Sequence, residues 1–532
     1  MKRIFFLAAI LLFVGCEDFL DKTDPTATSF DEFFNDEEDL RRVIYSSFYD
    51  VFTHHSNRSL LFYMKDGRSD NAYSRLEGDH HQRIANGNYN SATSTFDHYY
   101  TTHMQHVGRI NRYLDHIDEP YVENEAVRNR YENILKGLRM WHYFELTFRW
   151  GDVPFFLEPA DLVEAIKPIT PKEEILDVLF TMGEEVAEAL PPEEYTTNKY
   201  MFNRYSLKAL MMRYALYNER YELARELAQD IIDSGNYELH PVYGDLFQYT
   251  ASSDNKEFII HMDDESNGAG NTASFNHLGP HYRTGNGQSY LVPLKSLVDS
   301  YWTLQGRPID GDDIMNHDPL DYELNPKLNR DPRYEASIFG HGDIFYEDEI
   351  DIYDPNTPMF HELQRASSSG YWFKKFVDEA DAFRTGNMEF GLLRYAEVLL
   401  TYVEASIMLD DINAEALEYL NMIRERAGLD MDYADVTQAP YSGYSKDQWI
   451  DLIRNERRIE FAAEGLRYDD IIRWRIAEDV LNQPAEGHTR LVDGELQTLR
   501  IEERSFLPHN YRWPFHESSL RVEPTLEQNP GY

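Results

Sequence analysis

Residues 205–235 read YSLKALMMRYALYNERYELARELAQDIIDSG, and their pattern decides the fold class. Leu207, Leu210, Met211 and Tyr214 recur at i, i+3, i+4 and i+7, the spacing of one face of an α-helix. Asn218-Glu219-Arg220 is a short polar turn. Tyr221, Ala224, Ala228 and Ile231 then line a second helix, which Ser234-Gly235 closes. Two short antiparallel helices with small residues at their crossing make a tetratricopeptide-like unit of about 34 residues. Such a unit cannot bury its apolar face alone, so units must stack.

The pattern returns on both sides. Downstream, Leu393, Ala396, Leu400, Val403 and Ile407 line one helix; Ala416, Leu420, Ile423 and Ala427 line the next, and Gly428 ends it. Ser445 and Gln448 form a capping box that opens a helix carrying Trp449, Ile453 and Phe461. Leu466 to Arg475 continues beyond Gly465. Upstream, residues 37–53 and 95–117 read as helices. In Val127 to Trp150 the residues Ile134, Leu138, Trp141 and Phe148 share a face, and Gly151 and Pro154 end the run. Residues 236–389 lack helical periodicity and are rich in Gly, Asp, Asn, Tyr and Trp; the tail 483–532 is irregular too, with no helix expected after about residue 481. The expected fold is mostly α. It is a tetratricopeptide-like helix-pair solenoid with an N-terminal part (37–235) and a C-terminal part (390–482). A loop-rich lobe, 236–389, is inserted in the middle, where binding chemistry tends to sit.

Composition narrows the function. The chain has 532 residues, with 51 Lys and Arg against 94 Asp and Glu, for a net charge of −43. That disfavours nucleic acid as a partner, because neutralising phosphates takes clustered cations. A polybasic membrane surface is disfavoured for the same reason. An aromatic content of 14% is too high for a solvated acidic tail. One cysteine excludes an internal disulfide framework and a Cys-based zinc cluster.

That cysteine lies near the start. Lys2 and Arg3 precede an apolar run, Ile4 to Val14, then Gly15 and Cys16. A bilayer-spanning helix takes about 20 apolar residues, roughly twice this run. Residues 1–15 therefore read as a signal peptide. Cys16 stands where a bacterial lipobox places its lipidated cysteine, although Phe13 and Val14 match that pattern loosely. On this reading residues 16–36 are a lipidated N-terminus and tether; the alternative is an ordinary buried cysteine.

Several stretches together resemble the SusD/RagB family, the starch-utilisation-type lipoproteins of Bacteroidetes outer membranes. These are Cys16 to Asp21, Gly137 to Phe144 with Gly151-Asp152-Val153-Pro154, and Tyr301 to Ile309 followed by Asp331-Pro332-Arg333. Leu393 to Leu400, Asn455 to Phe461, Glu464 to Asp469, and the ending Gln528-Asn529-Pro530-Gly531-Tyr532 complete the set. The resemblance implies a surface-exposed, lipid-anchored outer-membrane protein that catalyses nothing and needs no cofactor. It implies capture of a nutrient, most often an oligosaccharide or polysaccharide, and its delivery to a SusC-type TonB-dependent transporter. Some relatives take peptides instead.

Sugar recognition needs an aromatic face against a pyranose ring and polar groups for its hydroxyls. Two segments supply both. Residues 66–100 carry Asp70, Asn71, Tyr73, Arg75, Asn86, Tyr89 and Phe96; residues 275–305 carry His281, Tyr282, Arg283, Asn286, Gln288, Tyr290 and Trp302. The same residue types also pin long loops to a scaffold, so each has two readings. The family supplies no ligand motif to carry over.

Other clusters read more plainly as structure. His80, His81, Glu77 and Asp79, and His98, His103 and His106, form no complete metal-ligand set of established spacing. Asp310, Asp312 and Asp313, and the run Glu347 to Asp354, lack EF-hand spacing and read as solvated acidic loops. Glu456, Arg457, Glu460 and Arg467 read as ion pairs between scaffold elements. No P-loop, G-x-S-x-G, H-E-x-x-H or G-x-G-x-x-G motif occurs. Besides glycan binding, two readings stay open: peptide capture on the same scaffold, and a glycoside hydrolase with carboxylates about 5–5.5 or 6.5–9.5 Å apart.

Overall fold

A computed structural model describes residues 34–53, 62–76, 80–160, 168–192, 201–248, 255–263, 273–281, 287–309, 319–379 and 388–532. The signal segment, Cys16, Glu77, Asp79, Tyr282, Arg283, Asn286, Asp310, Asp312 and Asp313 lie outside the described residues.

The fold is mostly α. The long helices are α1 (Glu37–Thr53), α2 (Ser94–Asp115), α3 (Glu125–Trp150), α4 (Lys172–Ala189), α5 (Arg204–Tyr217) and α6 (Tyr221–Asp233), then α7 (Tyr395–Met408), α8 (Ala414–Ala427), α9 (Lys446–Glu460) and the shorter α10 (Arg467–Arg473). Local chemistry explains their ends. Asn124 caps α3 by accepting from the Ala126 N–H, and Gly151, at φ 89°, stops it. In the α9 capping box the Ser445 Oγ accepts from the Gln448 N–H at 3.3 Å, and the Gln448 side chain accepts from the Ser445 N–H at 2.9 Å. Gly428, in the left-handed region, closes α8.

Neighbouring helices pack in sequence order, α2 on α3, α3 on α4, α4 on α5 and α5 on α6. Helix α7 then packs on α6, α8 and α9, which joins the two helical halves. This explains why α3 and α7 are buried on nearly every side in their C-terminal and central turns. Helix α4 was absent from the sequence-based expectation, although Ile175, Leu176, Leu179 and Phe180 bury one face of it.

The middle stretch begins and ends on one antiparallel pair. Strand β2 (Phe258–Asp263) pairs with β4 (Glu389–Arg394), and between them β3 (Leu291–Pro293) pairs back to β1 (Ala72–Ser74). The rest of this stretch holds two-residue strands and four six-residue helices, Ala273–Leu278, Lys295–Ser300, Pro319–Leu324 and Pro332–Ser337. Six residues are too few to show a periodicity, so the sequence pattern is silent there.

The tail corrects an expectation. It is not irregular throughout: β5 (Ala485–Val492) and β6 (Glu495–Glu502) form a hairpin turned by Asp493-Gly494, and a short helix spans Glu517–Val522. Thr489 and Thr498 face each other across the hairpin with hydroxyls 2.8 Å apart. No helix among the described residues is long and apolar enough to cross a membrane.

Candidate ligand-binding site

The β1–β3 pair brings the two aromatic segments of the sequence together. Tyr73 stands opposite Val292 and Ser74 opposite Leu291. One step further the Arg75 N–H donates to the Tyr290 carbonyl at 2.8 Å. Side chains alternate along a strand, so Tyr73 and Arg75 share one face. The Arg75 guanidinium lies 5.4 Å from the centroid of the Tyr290 ring and donates from Nε to the Ser289 carbonyl at 3.2 Å. It also bonds the carbonyls of Gln288 and Gln364. Among the described residues, Tyr73, Arg75, Gln288 and Tyr290 are all partly exposed, so there the face is held from behind and open in front.

The support behind it is rigid. Trp372 is fully buried and donates its Nε1–H to the Ser289 Oγ at 2.8 Å. The His277 ring packs 5.5 Å from Tyr290 and its Nδ1 meets the Tyr63 hydroxyl at 2.8 Å. Burial and the charge of Glu502 push the Tyr73 phenol above its usual range, and burial pulls the Arg75 guanidinium down. Both keep their ordinary protonation at neutral pH, so Tyr73 can donate a hydrogen bond and Arg75 stays cationic.

Of the rim, sequence reasoning named Asn86 and missed Gln82 and Glu502. Gln82, on the short helix His80–Asn86, donates to the Tyr73 hydroxyl at 3.2 Å, and both Gln82 and Asn86 reach the Glu502 carboxylate, at 3.5 and 3.4 Å. Glu502 arrives from the tail hairpin, and nothing local in the sequence marks it. Buried Arg504 fixes that hairpin end by donating to the carbonyls of Ser69, at 2.6 Å, and Ala72, at 2.9 Å.

Other expected site residues lie elsewhere. Phe96 is fully buried, 5.3 Å from the Trp513 ring. Asp70 is buried and engaged by Arg458 at 2.9 Å and Arg467 at 2.8 Å, and Asn71 accepts from Arg458 at 2.8 Å. The two guanidinium groups hold the Asp70 carboxyl well below the usual carboxylate range, against its desolvation. Tyr89 lies between Phe96 and the terminal Tyr532, with ring centroids 5.0 and 6.2 Å away. These four belong to the scaffold. Trp302 is half-exposed in a separate turn, packed against the core, and its carbonyl accepts from the Asp331 N–H at 2.8 Å. His281 holds its own loop through the Gly287 carbonyl at 2.8 Å.

No group of three or more His, Cys, Asp or Glu side chains suited to a metal ion occurs among the described residues. His103 and His142 share a 3.0 Å contact between ring nitrogens, and His106 stacks on His142. Asp351, in the acidic 347–354 run, accepts from the backbone N–H groups of Tyr353 and Asp354 and so shapes its own turn.

The scaffold also holds a buried ionic framework. Arg394 meets Glu257 at 2.6 Å, Glu460 at 2.7 Å and Glu464 at 2.8 Å. Arg333 meets Asp331 at 2.7 Å, Glu456 at 2.6 Å and Glu460 at 2.9 Å. Arg424 joins Glu456, Arg426 joins Glu257 and Glu460, and Lys375 joins Glu464. The five cations balance the five carboxylates, which is how charges survive removal from water. The sequence model of the SusD family matches residues 256–532, more than half of the chain and the stretch that carries this framework.

The chain belongs to the SusD family. It is similar to SusD-like protein P38 of Formosa agariphila, with 26% identity over an alignment of 560 positions covering 100% of this chain and 99% of that one. Among solved structures it is similar to a SusD-like carbohydrate binding protein from Bacteroides fragilis, with 25% identity and a TM-score of 0.81, over 93% of this chain and 100% of that one. A laminarin binding SusD-like protein shares the fold at 20% identity and a TM-score of 0.68, over 94% and 100% of the two chains. The SusD-like motifs noted in the sequence thus turn out to hold the scaffold. Arg394, Glu456, Glu460, Glu464 and Arg467 all pair inside it. The last residues do so as well: Asn529 donates to the Trp150 and Trp513 carbonyls at 3.0 and 2.7 Å.

Proposed function

We propose that this SusD-family chain binds an oligosaccharide or polysaccharide on the face formed by Tyr73, Arg75 and Tyr290. One observation carries the reading: the β1–β3 pair sets two half-exposed phenol rings and a fixed guanidinium side by side, with Gln82, Gln288 and Glu502 around them. Tyrosine rings offer flat apolar area for a sugar ring, and the polar rim supplies donors and acceptors for hydroxyls. The names of two structural relatives, a carbohydrate binding and a laminarin binding protein, support a glycan as the ligand class. Trp302, Tyr282 and Arg283 extend the list of candidate contacts from the same segment of the sequence.

The wider role follows from the family and the N-terminus. Lipidated Cys16 anchors the protein at the outer-membrane surface, several acyl chains giving the stable attachment that one does not. The bound glycan passes to a partner TonB-dependent transporter, and no reaction occurs on this chain. Calorimetric titration of the purified protein, and of its complex with the transporter, against plant, host and microbial polysaccharides tests the proposal. Saturable binding to one glycan class, weakened in Tyr290→Ala, is the expected result. Silence of both the protein and the complex across the panel overturns it.

A further inference from the structure

The proposed glycan face carries a positive charge that its other groups do not match. Arg75 donates from Nε to the Ser289 carbonyl at 3.2 Å, and its two Nη atoms reach the carbonyls of Gln364 and Gln288. All three acceptors are neutral. Each Nη carries two N–H groups and uses one, so both keep a donor. No carboxylate among the described residues pairs with Arg75. The titratable groups close enough to act on its charge there are the Tyr290 and Tyr73 phenols and a second cation, Arg365. Arg365 is exposed and likewise meets no carboxylate among the described residues.

Glu502, the carboxylate on the rim, does not supply the missing charge. Its side chain is 13% exposed and meets Arg504 at 3.2 Å, while the Gln82 and Asn86 amides take its other oxygen. The net charge of the whole chain, −43, does not supply it either. At physiological salt, exposed charges more than about 8 Å apart are largely screened, so groups in contact decide what the face prefers.

A ligand lying along Tyr290 takes water from Arg75, which burial has already stripped in part. A neutral sugar returns hydroxyl acceptors and no counter-charge. An oxyanion returns both, through charge-assisted hydrogen bonds about twice as strong as neutral ones. The guanidinium fork matches such a group better than a lone hydroxyl. Resting on the glycan reading above, we infer that this face takes an acidic glycan, with a carboxylate or sulfate group of one sugar on Arg75 beside Arg365 and the sugar rings along Tyr73 and Tyr290. Uronates and sulfate esters share this chemistry, and the test separates them.

The purified protein, alone and in complex with the transporter, is titrated calorimetrically at about 0.15 M salt. The probes are oligosaccharides of polygalacturonate and alginate, which carry carboxylates, and of carrageenan, which carries sulfate. Each is paired with its carboxyl-reduced or desulfated form, and neutral laminarin is the control. One acidic class should bind about tenfold or more tighter than its neutralised form, which names the group recognised. This comparison needs no variant of Arg75, which also holds two loop segments. Arg365→Gln, at an exposed residue, should lower the acidic affinity and leave the melting temperature unchanged. A neutralised glycan that binds as tightly as its acidic parent, or laminarin binding tighter than every acidic probe, overturns the inference and leaves the glycan face standing. Acidic binding undiminished in Tyr290→Ala overturns it too, because the anion then sits elsewhere. Silence toward acidic and neutral glycans alike removes the glycan reading itself, and this inference with it.

Discussion

Arg467 grips Asp70 with two parallel hydrogen bonds, Nε to Oδ1 at 2.8 Å and Nη2 to Oδ2 at 3.0 Å, and both side chains are buried. The pair joins the first turn of α10 to the segment that leads into β1. Arg458 closes the other side of the same carboxylate at 2.9 Å. The family motif on α10 therefore positions the strand whose next residues, Tyr73 and Arg75, form the open face. Asp70 serves the site by holding its strand in place, and its carboxylate has no edge left for a ligand.

Asp70→Ala should destabilise the protein by about 3–5 kcal/mol, because it leaves two buried guanidinium groups without their carboxylate. Denaturant unfolding measures this. A loss under about 1 kcal/mol, the value of an exposed ion pair, would contradict the buried clamp.

Acid should weaken the fold in two stages. His103 is held at about 4 by burial, so below the unfolded value of about 6.5 the unfolded chain takes a proton that the native chain refuses. That contribution is full above pH 6.5 and is lost as pH falls to about 4, roughly 3 kcal/mol in all. Asp70 and Glu460 have depressed native values, set against desolvation by Arg458 and Arg467 and by Arg426, Arg394 and Arg333. Their stabilisation is complete above the unfolded carboxylate range of about 4 and disappears as pH falls below it. Asp66, whose carboxyl burial raises to about 7, gains stability as pH falls through the same window as His103, so the histidine contribution is read in Asp66→Asn. In that variant melting temperature against pH should therefore decline from about 6.5 and steepen below about 4, and a flat profile between those values would exclude the histidine contribution.

Tyr290→Ala and Phe96→Ala should separate binding from folding. Tyr290 is half-exposed, so its removal should lower glycan affinity about tenfold or more and leave the melting temperature within a degree or two. Phe96 is fully buried against Trp513, so its removal should cost about 3–5 kcal/mol of stability. Parallel calorimetry and unfolding of the two variants decides the matter. Equal stability losses would place Tyr290 in the scaffold.

Gly465→Ala should be severe for so small a change. Gly465 sits at φ 72°, and a Cβ there would lie 2.1 Å from the Phe62 carbonyl oxygen. That oxygen is backbone and cannot turn aside, so α10 or the Phe62 segment must shift. A stability loss of at least about 1–3 kcal/mol is expected in chemical unfolding.

Cys16→Ala should leave a folded protein that no longer sediments with membranes. Cell fractionation with circular dichroism on the released protein checks both halves of this. Full retention in the membrane fraction would remove the lipid anchor from the functional reading.

What the sequence by itself determined was helical. The faces of α3, α5, α6, α7 and α8, and the Ser445–Gln448 capping box, depend on residues three or four apart, so periodicity and composition expose them. The pairing of Glu456, Arg457, Glu460 and Arg467 was also legible, as unlike charges clustered around one helix; that it is buried was not. Where elements shrink to six residues or fewer, as in much of 236–389, a pattern has no length in which to appear. The tail hairpin 485–502 was missed because its outer face is exposed and polar, leaving little apolar alternation to read.

Only the tertiary structure decided which aromatic and polar residues face outward. Asp70 and Tyr73 are three positions apart, yet one is clamped by an arginine 397 residues away and the other meets solvent. Arg75 finds its carbonyl partner 214 residues on, at Ser289, and Glu502 reaches Gln82 across 420. Burial and pairing are set by the whole packed chain, and local spacing carries no record of contacts between segments that distant.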